Sequence, residues 1–102
     1  MSNLTKTSKK PSDFEDQEAS YDERLEFYDT HKNHNKFWHV RVFGNYIVRQ
    51  WGRHGSTGQS SVHMAYSEWD ARQKADKLYW QKTDKGYVRD QTTILDHIAR
   101  KL

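Results

Sequence analysis

Two alternating runs, residues 37–43 and 46–51, meet at Gly44-Asn45, and no other feature constrains the fold as tightly. Strand side chains repeat with a period of two, so each run reads as a two-faced strand. Gly-Asn is a two-residue hairpin connection, because glycine accepts the positive φ of the mirror-image turns. That turn sets Phe43 opposite Tyr46, Val42 opposite Ile47, Val40 opposite Arg49 and Trp38 opposite Trp51. Trp38, Val40, Val42 and Ile47 then share an apolar face, with Arg49 and Trp51 on the same side toward the strand end. Phe37, His39, Arg41, Phe43, Tyr46, Val48 and Gln50 share a mixed face. One extra loop residue would invert every assignment.

The flanking sequence extends this hairpin. Residues 21–29 alternate as a first strand and 59–66 as a fourth, the latter with Val62 and Met64 on one side and Ser61, His63 and Ala65 on the other. Ser67 then reads as a helix N-cap, with Asp70 three residues on and Glu68 at the positive helix end. Ala71, Ala75 and Leu78, with Trp69, Tyr79 and Lys82 at the margins, form an apolar stripe to about residue 83. The small alanines predict close approach to the Trp38-Val40-Val42 face. Gly86 is the C-terminal stop. Trp80 falls off the stripe and reads as an exposed packing ring ahead of the alternative, a second contact for a ligand. Tyr87 and Val88 begin a short extended piece. Thr93 caps a short helix in which Ile94, Leu95, Ile98 and Leu102 share a side. The predicted fold is α+β: a twisted antiparallel sheet of about four strands with one helix packed across one face.

Residues 1–20 read as a disordered arm, because only Leu4 and Phe14 offer much to bury. Three lysines against four acids leave the arm at −1 and the remaining residues at +4. The expected organisation is an arm over 1–20, a globular domain over 21–88 and an extension with a short helix over 89–102. The chain has no cysteine, so it has no disulfide framework and no thiolate metal site. No apolar run reaches the roughly 18 residues of a membrane span, and no signal-peptide pattern is present. A cytoplasmic protein is expected, nucleoid-associated if it binds DNA.

Chemistry concentrates at Arg49-Gln50-Trp51-Gly52-Arg53-His54-Gly55-Ser56-Thr57-Gly58. Two guanidiniums flank an indole on one side of a strand that runs into a glycine-punctuated turn. Guanidinium makes bidentate contacts to phosphate, and an indole gives a sugar or base a flat face to stack on. The bland alternative is a core tryptophan with snorkelling arginines. Residues 30–67 favour the first reading. They contain no Asp or Glu, yet hold Lys32, Lys36, Arg41, Arg49, Arg53 and five of the six histidines. A positive field of that kind attracts polyanions. His31 and His34 lack a carboxylate or thiolate partner and make a poor metal site. No acid stands near His54 or His63 to complete a hydrolytic triad. The glycine turn lacks the Gly-Lys-Ser/Thr ending of a phosphate loop, although its amides could assist in holding an anion.

Taken together, Leu25-Glu26-Phe27, Asn35-Lys36-Phe37-Trp38, Trp51-Gly52-Arg53-His54-Gly55, Gly58-Gln59, Ala71, Lys77-Leu78 and Lys82-Thr83-Asp84-Lys85-Gly86-Tyr87 resemble a WGR domain over roughly residues 21–88. That family includes modules of DNA-break-sensing poly(ADP-ribose) polymerases and small bacterial proteins. The resemblance implies that Trp51 packs on the sugar at a DNA terminus, with basic neighbours on the 5′ phosphate. It makes Arg53 the anion and inter-domain contact, and Arg49 falls at a position that is basic in the polymerases. These 102 residues leave no room for a catalytic region, so Arg53 has no such domain to contact within them. The helix exit Lys85-Gly86-Tyr87 is closer to the bacterial proteins.

The sequence therefore predicts a non-catalytic module that binds DNA ends, nicks or 5′ phosphates through Trp51, Arg53, Arg49, Gly52, Lys36, Arg41 and His54. It predicts no cofactor, no metal and no small-molecule substrate. The competing reading is a protein-interaction adaptor, in which the same basic-aromatic face meets an acidic partner and the helix from Thr93 docks on another chain.

Overall fold

The Gly44-Asn45 turn joins two strands whose register is the predicted one at every pair from Phe43↔Tyr46 to Trp38↔Trp51. The computed structural model describes residues 4–29, 31 and 34–89. Its strands are β1 (Thr5–Thr7), β2 (Tyr21–Asp29), β3 (His34–Phe43), β4 (Tyr46–Arg53), β5 (Gln59–Met64) and β6 (Val88–Arg89). They lie in the order β1-β5-β4-β3-β2-β6, with every neighbouring pair antiparallel. A single α-helix among the described residues, α1 (Glu68–Asp84), crosses one face.

The helix begins and ends as its sequence dictates. Ser67 Oγ accepts a hydrogen bond from the Asp70 amide at 3.1 Å, a cap worth about 1 kcal/mol. The Asp70 carboxylate reaches back one residue further than in a full capping box, to the Tyr66 amide at 3.2 Å. At the other end Gly86 takes φ +99°, where a side chain would be strained. Ala71, Ala75 and Tyr79 are buried against Leu25, Trp38, Val40, Val42 and Ile47. The two alanines have no exposed surface, so enlarging either would force the helix off the sheet at about 1–3 kcal/mol. Trp80 stands edge-on to Tyr79, 5.1 Å between centroids, yet remains 58% exposed.

Two expectations need correction. The sheet has six strands rather than about four, because short edge strands join at both sides. β6 pairs with β2, and β1 pairs with β5. The arm is also not disordered over its described residues. Phe14, at the end of a 3-10 turn (Pro11–Phe14), is buried on the face opposite the helix with Phe43, Val48 and Val62. Its ring stacks on Phe43 at 4.9 Å between centroids and 17° between planes. Burying one phenylalanine contributes about 1.5–3 kcal/mol. Backbone pairing of β1 and the packing of Leu4 against the helix-side core add to it. Two well-placed apolar residues thus order a polar segment. The helix expected from Thr93 lies outside the described residues. No helix among the described residues is long and apolar enough to cross a membrane.

Candidate nucleic-acid interface

β4 ends where the sheet must turn sharply, and two glycines make that turn. A Cβ on Gly58 would lie 2.2 Å from the Trp51 carbonyl oxygen, and one on Gly52 would lie 2.8 Å from Gly58 Cα. No real Cβ sits so close, so backbone crosses backbone here only because both side chains are missing. The turn between them closes on itself, with the Ser56 amide and hydroxyl both donating to the Arg53 carbonyl, at 3.0 and 2.7 Å. The His54 amide donates to Asn35 O at 2.8 Å. The amides of His54 and Ser56 are therefore engaged within the protein, and this part of the loop is no anion cradle.

The turn opens a cleft of about 460 Å³ lined by Asn35, Lys36, Phe37, Trp51, Gly52, Arg53, Lys82 and Tyr87. Trp51 is partly buried, in contact with the helix-side core but not sealed within it. Lys36 pairs with Arg53 and Trp38 with Trp51, so Lys36, Trp51 and Arg53 project to the helix side, as do Arg49 and Ile47. Lys82 comes from the last turn of α1. Its Nζ lies 5.8 Å from the Trp38 ring centroid and 5.1 Å from that of Tyr87.

The electrostatics of this corner are one-signed. Burial pushes the Lys82 pKa down, and the positive charges of Lys85, Arg49 and Lys36 push it further. Burial alone lowers the Arg49 pKa. Among the described residues, no carboxylate lies within 4 Å of Lys36, Arg49, Arg53 or Lys82.

The opposite face differs. Arg41 projects there, donates to Gln50 at 2.5 Å and packs over Phe43. His54 lies 3.4 Å from Glu26, which also meets Arg24 at 3.7 Å. His39 lies 2.6 Å from Asp22. The structure thus gathers Trp51, Gly52, Arg53 and Lys36 in one cleft, keeps Arg49 on the same side, and sends Arg41 and His54 elsewhere. Glu26, on β2 and outside the acid-free stretch, stands beside His54, whereas Arg41 meets Gln50.

A family model for the WGR domain matches residues 21–94. The chain belongs to the WGR-domain family. WGR domains are nucleic-acid-binding modules of poly(ADP-ribose) polymerase-like proteins, and they are binding rather than catalytic units. The chain is similar to a protein of known crystal structure from Bacteroides fragilis, with 31% identity and a TM-score of 0.64. The match covers 72% of this chain and 20% of that one, so the present chain corresponds to about a fifth of that protein's length. No curated protein matches the chain.

Sequence reasoning on this WGR domain missed Lys82 and Tyr87 as cleft residues. The signal was present in the helical spacing. Lys82 follows Ala71, Ala75 and Leu78 at i+11, i+7 and i+4, on the face that meets the sheet. A lysine on that face near the helix end must snorkel out past the strand ends, and Trp51 stands near the end of β4.

Proposed function

We propose that this WGR domain binds DNA at ends, nicks or other discontinuities. The Trp51 ring packs on a terminal sugar or base, and Arg53, Lys36 and Lys82 hold the 5′ phosphate. One observation carries the reading: an accessible indole lines an open cleft with three cations around it and no acid within ion-pairing distance among the described residues. An intact duplex hides the faces that a ring can stack on, whereas a terminus exposes them. The cleft volume lies in the range of small-ligand sites, enough to admit one end of a strand but not a duplex. Arg49 lies next along the strand and adds charge rather than a lining contact.

The test is a titration across closed circular, nicked, blunt-ended linear and single-stranded DNA at two salt concentrations. Linear and nicked DNA should bind more tightly than closed circles of the same sequence, with a steep loss of affinity on adding salt. Trp51→Ala should abolish the preference for ends. Equal binding of linear DNA by Trp51→Ala and wild type overturns the stacking role. A complex that survives nuclease treatment and is lost in Arg53→Glu would instead identify an acidic protein partner.

A further inference from the structure

The basic face does not stop at the cleft. Arg49 is half-buried on β4, two residues before Trp51. A desolvated guanidinium without a counter-charge is unfavourable until an anion reaches it. On the next strand His63 Nδ1 lies 3.5 Å from Arg49 Nη2. Opposite Arg49 stands Ser61, whose buried Oγ has no hydrogen-bond partner among the described residues. One strand further out, Lys6 of β1 sits directly across from His63. His63 pairs with Ile47 of the helix-side core, so Lys6, His63 and Arg49 face the same side as Trp51. Among the described residues none of the three meets a carboxylate within 4 Å.

We propose that Lys6, His63 and Arg49 form a second phosphate-binding patch, which grips the backbone of a DNA strand inward of the terminus held at Trp51. This rests on the reading of the cleft given above. Lys6 stands level with Ile47, four residues along from Trp51 and two strands across. At about 3.3 Å per residue and 4.8 Å per strand, that separation is about 16 Å. A duplex strand rises about 3.4 Å per nucleotide, so the patch meets a phosphate roughly five nucleotides in. β1 lies outside the family-matched residues 21–94. The strand lengthens the charged track beyond those residues.

Among the described residues the charges that act on His63, those of Arg49 and Lys6, are both positive. Burial first, then Arg49 and Lys6, hold its pKa below the usual histidine range. On the helix Lys74 is tied to Asp70 at 2.8 Å, and Lys82 is the cation coupled to Arg49. An arriving phosphate reverses the sign of that environment and draws a proton onto His63.

The experiment compares wild type, Lys6→Gln, His63→Gln and Trp51→Ala on two probes: a 5′-phosphorylated dinucleotide, and a 5′-phosphorylated blunt duplex longer than one helical turn. Lys6 is exposed and its strand pairs through backbone, so Lys6→Gln should keep the fold, which circular dichroism checks. On the duplex each patch variant should bind about threefold to tenfold more weakly at low salt. Its slope of log affinity against log salt should fall by about one unit. On the dinucleotide both should match wild type. Duplex affinity should rise as pH falls from about 7.5 to about 5.5, and His63→Gln should lose most of that rise. Unchanged duplex slopes in both patch variants, with Trp51→Ala still impaired, overturn the patch and leave the cleft standing. A wild-type protein that binds neither probe overturns both.

Discussion

Both faces of this sheet carry basic residues, and they differ in what meets them. On the helix side Lys36, Arg49, Arg53 and Lys82 stand without carboxylates, around a cleft that holds an aromatic ring. On the other side Asp22 and Glu26 reach from β2 to His39, His54 and Arg24. Alternation along β2 explains the split. Its even-numbered residues from 22 to 26 face the mixed side, while Glu23 faces the helix side and is engaged by Arg89 at 3.3 Å. An acid-free run in the sequence therefore does not by itself make an uncompensated basic surface. The surface is set by which partners a neighbouring strand delivers to each face.

The largest expected effect removes the shape of the binding face while sparing the other. In Gly58→Ala the new Cβ must escape a contact of 2.2 Å with the Trp51 carbonyl at a φ of +69°. The variant should lose about 3 kcal/mol of stability by urea denaturation and lose DNA binding with it. Wild-type stability would mean that the close glycine crossing is not what holds the cleft open. Next comes Trp51→Ala. Base stacking on an aromatic ring is worth about 1–3 kcal/mol, so affinity for linear DNA should drop roughly tenfold to a hundredfold.

Charge substitutions then separate the faces. Arg53→Gln should weaken end binding about fivefold to tenfold, and Arg41→Gln, on the far face, less than twofold. Equal losses would mean that net charge rather than the cleft drives binding. Glu26→Gln asks why the far face is silent. Glu26 is only 5% exposed, and it accepts from Tyr28 and faces Arg24 and His54. Its neutralisation should lower stability by about 1 kcal/mol in thermal denaturation. End binding should remain within twofold, because baring two cations does not supply a cleft with a ring.

Much of this was legible in residues 37–86. A two-residue turn leaves no freedom of register, and Ser67 and Gly86 bracket the helix that lies between them. What escaped depends on contacts without a period. Leu4 and Phe14 are ten residues apart and pack on opposite faces of the sheet, so no alternation or helical spacing announces them. The edge strand around Lys6 is likewise three polar or charged residues, held by backbone pairing and the Thr7 hydroxyl donating to Val62 O at 3.0 Å. Lys82 sits on a legible stripe, but only the angle at which the helix crosses the sheet brings it beside Trp51. Arg41 falls on the far face beside Gln50, and the Glu26 that stands beside His54 comes from β2, which the acid-free run does not include.

The smallest effect uses one histidine on each face. Burial lowers the pKa of His39 more than Asp22 raises it, and burial with Arg49 and Lys6 lowers that of His63. A histidine with a depressed folded-state pKa favours the neutral form in the native protein. The unfolded chain takes up the proton first, so the stability is present above about pH 6.5 and is lost as pH falls toward the folded pKa. Thermal midpoints of the free protein should decline across that window. The decline should be shallower in His39→Asn and in His63→Gln. With duplex bound the two faces should part: phosphate at His63 removes its share of the decline, while His39, paired with Asp22 on the far face, keeps its own. His63→Gln bound to duplex should then follow the same pH course as wild type bound to duplex. A bound wild-type protein that loses stability as steeply as the free one would show that no anion reaches His63.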